Sequence, residues 1–291
     1  FKTVNDGGAP IGTWASGGDL NTARRGYDVG AGIQTAALMS GGYTTTVVAN
    51  AEQYDGSSWT EVGDLNTARF ASAGSGTTYT AAFLASGLAP SRVTNTEIWD
   101  GSSWTEVNEV NTARNSFGGT GSSTAGLITS GEIPSITAKT ESWDGTNWTE
   151  VADLNTAGKA RTTIGTYTSA LAVGGSTAAG APFYAIVEQY DGSSWTEIAD
   201  LNTARGEGAA TGTSALGLAF GGENPSSVAI TEFWNGTSWT EVADLATAVG
   251  NSAGAGTSSA GLSFAGQAPG ITAATEEFTA ADFQIKTVTT S

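Results

Sequence analysis

The chain has 291 residues, 41 of them glycine, and carries a formal net charge of −17 with neither His nor Cys. It therefore has no thiol nucleophile, disulfide framework, imidazole base, or thiolate or imidazole metal site. Its acidity disfavours nucleic acid, which needs Lys and Arg against phosphate, and no apolar run reaches membrane-spanning length.

The first residues lack the basic start and apolar stretch of a signal peptide. The chain starts at Phe1 rather than Met, which leaves room for an upstream segment. The first predicted element is a strand at 12–17 around Trp14, followed by Asp19-Leu-Asn-Thr-Ala-Arg24. The pattern returns as Tyr54-Asp-Gly-Ser-Ser-Trp59-Thr-Glu-Val with Asp64-Leu-Asn-Thr-Ala-Arg69, then at Trp104, Trp148, Trp195 and Trp239. Successive Trp positions from Trp14 are 45, 45, 44, 47 and 44 residues apart. That period suits one four-stranded propeller blade.

Each unit divides into four strands. Strand A follows the Arg and is made of small residues, as in Ala71-Ser-Ala-Gly-Ser-Gly. Strand B is a short apolar run ending in glycine, such as Leu218-Ala-Phe-Gly-Gly222. Strand C is Thr-Glu-x-aromatic, as in Thr96-Glu97-Ile98-Trp99. An Asp-Gly turn leads to strand D, Trp-Thr-Glu-Val, which is rich in residues that suit a pleat. Small residues first and aromatics last match a blade that narrows toward an axis. The fold expected is an all-β, six-bladed propeller, with blades at about 24–62, 69–107, 114–151, 158–198, 205–242 and 249–279. Two segments compete to complete the sixth blade: 12–17, with Trp14, and the C-terminal aromatics Phe278 and Phe283. The N-terminal segment is expected to close the ring, leaving 280–291 as a spare strand or tail.

The Gly-Gly strand, the Glu-x-Tyr-Asp-Gly turn, the following Trp and the later Arg resemble kelch repeats over nearly all of 12–283. Asn-Thr-Ala-Arg, Leu-Ala-Phe-Gly-Gly, Tyr-Asp-Gly-Ser-Ser-Trp-Thr and the ending Ile285-Lys-Thr-Val-Thr-Thr-Ser look like kelch-like proteins of marine bacteriophages. The resemblance implies a propeller fold and a structural or attachment role in a virion or fibre. Sialidase-type turns place Asp five residues before Trp, whereas Asp55 precedes Trp59 by four. Galactose-oxidase-like chemistry needs His and Cys, which the chain lacks.

The six repeated Trp residues read as structure, each packed beside the aromatic of strand C in its hairpin. The strand-C glutamates (Glu52, Glu97, Glu141, Glu188, Glu232, Glu276) and the arginines Arg24, Arg69, Arg114 and Arg205 read as a repeated ion pair or a contact between blades. Gly158 and Val249 replace the Arg in two units, with Arg161 a candidate substitute in the first. The carboxylates after Trp, such as Glu61 and Asp64, Glu150 and Asp153, or Glu241 and Asp244, could hold Ca²⁺. They read first as edge charge that discourages strand-to-strand pairing, and no cofactor is expected. Two Asn-x-Thr sequons, at Asn147 and Asn235, read as turn variants.

The B–C connections vary most and should share a face with the D–A linkers, the usual split between scaffold and recognition surface. The fourth is the longest, and the candidate recognition residues are Phe183, Tyr184, Arg92 and Tyr43. The function expected is a non-enzymatic virion or extracellular propeller, associating with itself or with fibre proteins, with surface glycans as a further partner class. A monomeric carbohydrate-binding propeller is the alternative. A carboxylate-dependent glycosidase or lyase at the channel mouth would need two acids peculiar to one blade.

Overall fold

The computed structural model of the chain describes residues 12–26, 30–76, 78–177 and 182–281. Six four-stranded antiparallel sheets are arranged as blades around an axis, and no helix occurs among the described residues. The chain is a six-bladed β-propeller. Blade 1 comprises Gly30–Ile33, Ala36–Ser40, Ala51–Tyr54 and Trp59–Val62, ordered A to D from axis to rim. Blades 2 to 5 repeat this order, with strands A beginning at Ala73, Gly118, Thr162 and Ala209. In blade 6, strands Ala253–Gly256, Ala260–Phe264 and Thr275–Ala280 are completed by Gly12–Ser16 from the other end of the chain. The N-terminal strand thus closes the ring, with Trp14 opposite Phe278. Gly12 is required there, because a Cβ would stand 2.2 Å from the Phe278 ring. Phe283 and the expected spare strand at Ile285 lie outside the described residues.

The aromatic pairs read from the repeat are in contact within each hairpin, with ring centroids 5.0–5.4 Å apart. The D-strand Trp also reaches the preceding blade. The indole Nε1 of Trp14, Trp59 and Trp148 donates to the hydroxyl of Thr231, Thr275 and Thr96 at 3.0–3.1 Å. At the equivalent positions facing Trp104 and Trp239 stand Ala51 and Val187, which have no hydroxyl. Both indole N–H groups are buried without a partner, as is that of Trp195, although the equivalent position there is Thr140.

Two features explain how successive blades are held in register. The second residue after strand B is glycine in all six units, with φ of 104–120°, a conformation that side chains rarely adopt. Its N–H donates to the linker carbonyl of the next blade, as in Gly42 to Arg69 (2.9 Å) and Gly266 to Arg24 (2.9 Å). The residue before it lies near φ 50–65° and is Gly, Ser or Ala. A left-handed α conformation tolerates that variety better than φ above 100° does.

The second feature is the linker. In blade 1 the fully buried Glu52 carboxylate accepts hydrogen bonds from the Asn21 backbone (2.7 Å), the Asn21 amide (2.9 Å), the Thr22 N–H (3.3 Å) and the Arg24 guanidinium. The Asn21 amide also donates to the Trp59 carbonyl at 2.8 Å. Glu97, Glu141, Glu188 and Glu232 pair likewise with Arg69, Arg114, Arg161 and Arg205. Arg161 thus takes the place that Gly158 leaves empty. In blade 6 Ala246 and Val249 replace Asn and Arg, and Glu276 keeps two backbone donors, Ala246 (2.7 Å) and Thr247 (3.0 Å).

Urea unfolding of four variants checks these contacts. Val187→Thr should stabilise by about 1 kcal/mol by giving Trp239 an acceptor, and Thr96→Val should destabilise by about 1–3 kcal/mol by orphaning Trp148. Glu97→Ala should cost about 3–5 kcal/mol, since it strands a buried guanidinium. Glu276→Ala should cost less, because no charge is left behind.

Candidate functional site

The B–C connections and D–A linkers lie on one face, hereafter the loop face. The residue after the Gly pair bridges the residue after the linker Arg position: Arg25 with Tyr43, Phe70 with Leu88, Asn115 with Glu132, Lys159 with Ser176, Gly206 with Glu223 and Gly250 with Gln267. These pairs ring the axis. Just behind them, Ala71, Ser116, Ala160, Glu207 and Asn251 share φ of 53–59°. Their N–H and C=O groups link blade to blade, as in Ala160 to Ser116 (2.8 Å), Glu207 to Ala160 (3.0 Å) and Asn251 to Glu207 (2.7 Å). The backbone around the mouth is therefore repetitive, whereas the side chains differ in every blade.

Those side chains form three unlike sectors. In blades 1 and 2 the Arg25 guanidinium stands 4.9 Å from the Tyr43 ring and 5.9 Å from Phe70, and the two rings are 5.2 Å apart. Across blades 2 to 4 Glu132 is held between Arg92 (2.8 Å) and Lys159 (2.6 Å), and Arg92 also donates to Asn115 at 2.5 Å. At the junction of blades 5 and 6 the Asn251 amide donates to the carboxylates of Glu207 and Glu223, at 2.8 and 3.3 Å. Burial, the Glu207 charge and hydrogen bonding with Glu207 push the Glu223 carboxyl up to about 7, against an opposing pull from Arg25. Two acids of blade 5 therefore meet at the mouth, a pairing that their sequence positions do not announce.

The four candidate recognition residues all lie on the loop face but do not form one patch. Tyr43 belongs to the aromatic sector and Arg92 to the ion-paired one. Phe183 bridges Ser176 and approaches Gly206, where a Cβ would come within 3.1 Å of its ring. Tyr184 turns inward: its ring lies 5.4 Å from the Arg161 guanidinium, and a Cβ on Gly158 would meet its hydroxyl at 1.5 Å. Gly158, Arg161 and Tyr184 form one local substitution, in which a displaced arginine is covered by the longest B–C loop. Burial raises the Tyr184 hydroxyl above its ordinary value.

The carboxylates considered for calcium are individually engaged. Glu150 pairs with Lys139 (2.7 Å), Glu61 accepts from Asn50 (2.6 Å), and Asp153 and Asp244 accept from the N–H of Thr140 and Thr231. Among the described residues no three His, Cys, Asp or Glu side chains converge as metal ligands. Asn235 caps its turn by accepting from Thr237 and Ser238 (2.9 Å each), as Asp55, Asp100 and Asp191 do elsewhere. Those backbone and hydroxyl hydrogen bonds hold Asp100 and Asp191 down to about 2.

On the opposite face the axis opens as a cavity of about 370 Å³ lined by strand A residues such as Gly74, Gly119, Thr163 and Gly254, with no charged side chain. Thr120 and Thr211 hydroxyls there donate to the neighbouring blade's carbonyls at Gly165 (2.8 Å) and Thr257 (3.0 Å). Ile33 and Leu216 stand exposed at its rim. The Thr120 and Thr211 hydroxyls in the cavity already serve the ring. The distinctive chemistry lies at the loop-face mouth. No protein-family model matches the chain, and no curated protein matches it.

The raised Glu223 carboxyl has a definite sign. Between about pH 4.5 and 7 the folded chain holds a proton that the unfolded chain releases, so its contribution to stability is lost as pH rises through that window. Urea midpoints of the wild type should fall, relative to those of Glu223→Gln, between about pH 5 and 8. Parallel curves for the two proteins would contradict the assignment.

Proposed function

We propose that this chain is a non-enzymatic structural and attachment propeller of a virion or extracellular surface fibre, assembling with copies of itself or with fibre proteins. The observation that carries the reading is the loop-face mouth, where a backbone frame that repeats from blade to blade presents side chains that differ in each. A rigid frame with one asymmetric rim suits recognition of a macromolecular partner. The kelch-like wording of the repeat and its likeness to marine bacteriophage proteins support the virion setting. A net charge of −17 suits a surface exposed to salty water. The outer strands carry exposed Glu61, Glu106, Glu150, Glu197 and Glu241, which oppose pairing between blade edges. Assembly accordingly runs through the loop face rather than the rim.

A second reading, carbohydrate binding, is favoured by the Arg25–Tyr43–Phe70 group, since aromatic faces beside a cation suit a sugar ring and its hydroxyls. Native mass measurement and electron microscopy of the purified chain, alone and with its particle of origin, separate the two. The first reading expects a discrete oligomer or particle-bound propeller that Lys159→Glu or Tyr43→Ala disperses. A monomer that never joins a particle, yet binds a glycan array through Tyr43, would replace it with the second. Polysaccharide turnover screens are expected to find no activity.

A further inference from the structure

We propose that Asn235 is a self-modification site, at which the folded chain loses the side-chain amide through a cyclic imide with Gly236 and acquires an aspartyl residue. The site lies in the C–D turn of blade 5, between the paired Trp234 and Trp239. Four other blades carry Asp-Gly in this turn, at Asp55, Asp100, Asp144 and Asp191, and Asn235-Gly236 is the one Asn-Gly pair in the chain. Conversion gives blade 5 the residue that those blades already have, and adds one negative charge to its turn.

Imide formation needs a backbone nitrogen free to attack the side-chain carbonyl. Gly236 is exposed, has no Cβ to obstruct the approach, and lies at φ 90°. Among the described residues its N–H has no hydrogen-bond acceptor. A Cβ there would meet only the Ala215 carbonyl oxygen, at 3.2 Å, so the space around it is open. The Asn235 Oδ1 accepts from the N–H groups of Thr237 and Ser238 at 2.9 Å each. Those donors stabilise the negative charge that develops on the oxygen during attack. The leaving nitrogen faces the exposed Ser238 hydroxyl at 3.4 Å. In the reaction the Gly236 nitrogen gives its proton to hydroxide and bonds to Cγ. The Cγ–Nδ2 bond then breaks, and Nδ2 leaves as ammonia after taking a proton from water. Water opens the imide at Cγ to give Asp, or at the backbone carbonyl to give isoaspartate.

The other turns give the comparison. Asp100 and Asp191 are held down to about 2 by their backbone and hydroxyl hydrogen bonds. They are carboxylates at neutral pH, and a carboxylate resists attack by an amide nitrogen. The neutral amide of Asn235 has no such protection. Asn147 precedes Trp148, which is buried at the start of strand D. The reactive site therefore belongs to the blade 5 turn, not to the repeat.

The test is peptide mass mapping of the full chain, folded and in urea, after incubation at about pH 8, where hydroxide takes the Gly236 proton. In the folded chain the peptide holding Asn235 should gain about 1 Da as its amide becomes a carboxylate. The gain should be at least about ten-fold faster than at Asn147 and slowed about ten-fold in Gly236→Ala, because a Cβ obstructs the attack. Both Asp and isoaspartate are expected as products. Asn235→Asp should gain no mass there, and unchanged tryptophan fluorescence checks that each variant is folded. An Asn235 that keeps its amide in the folded chain, while the chain in urea loses it, would overturn the proposal. So would equal rates in the wild type and Gly236→Ala, or Asp without isoaspartate, both of which mark direct hydrolysis. The assembly tests of the proposed function do not depend on this result.

Discussion

Strand-C glutamates carry a negative charge into parts of the molecule that water does not reach, and the chain organises each linker around that charge. In most units the carboxylate gathers donors from Asn, Thr and Arg of the segment entering its blade. Placing a charge in a low-dielectric interior is costly unless its hydrogen bonds are satisfied. Only one path of the linker satisfies them, so the contact fixes where one blade ends and the next begins. Burial in turn pushes Arg24, Arg69 and Arg114 below the ordinary arginine value, although the glutamates oppose that shift. The pairs add specificity of path more than net stability.

Around these nodes the rest of the ring follows from size. Strand A faces the axis and carries Gly, Ala and Thr, because six backbones converge there. Strand D has room for Trp, whose ring stacks on its hairpin partner while its N–H reaches the blade behind. The glycine after strand B adds a backbone bond to the blade ahead. Each junction is thus held at the axis, the loop face and the rim by different chemistry.

Much of this was legible in the sequence, because a frame repeated along the chain exposes its rules by comparison between copies. The blade count, the aromatic hairpins and the Glu–Arg pairs follow from spacing alone, and Arg161 stands three residues beyond the position where Gly158 replaces the arginine. Closure was readable as a competition between two segments; Trp14 prevails because it both pairs with Phe278 and bonds Thr231. The mouth was less legible. Glu207 and Glu223 occupy positions where the other units carry unrelated residues, so nothing periodic marks them. Their meeting depends on Gly250 and on the backbone turn at Asn251, which the sequence presents only as a variable position. Tyr184 stood out as an unusual loop aromatic, but its cover over Arg161 needs the side-chain geometry.

The sixth blade has a mechanical consequence. Gly12 lies opposite Ala280, so the polypeptide enters and leaves the ring at one end of a single antiparallel ladder. Tension applied across those two points loads the backbone bonds in series, each breaking before the next feels the force, like a zipper rather than a lap joint. Trp14 is the third rung, and its grip on Phe278, Phe220 and Thr231 is the first obstacle beyond the glycine. A protein drawn by its ends would open at that seam, while blades 1 to 5, each made of one continuous stretch of chain, stay intact.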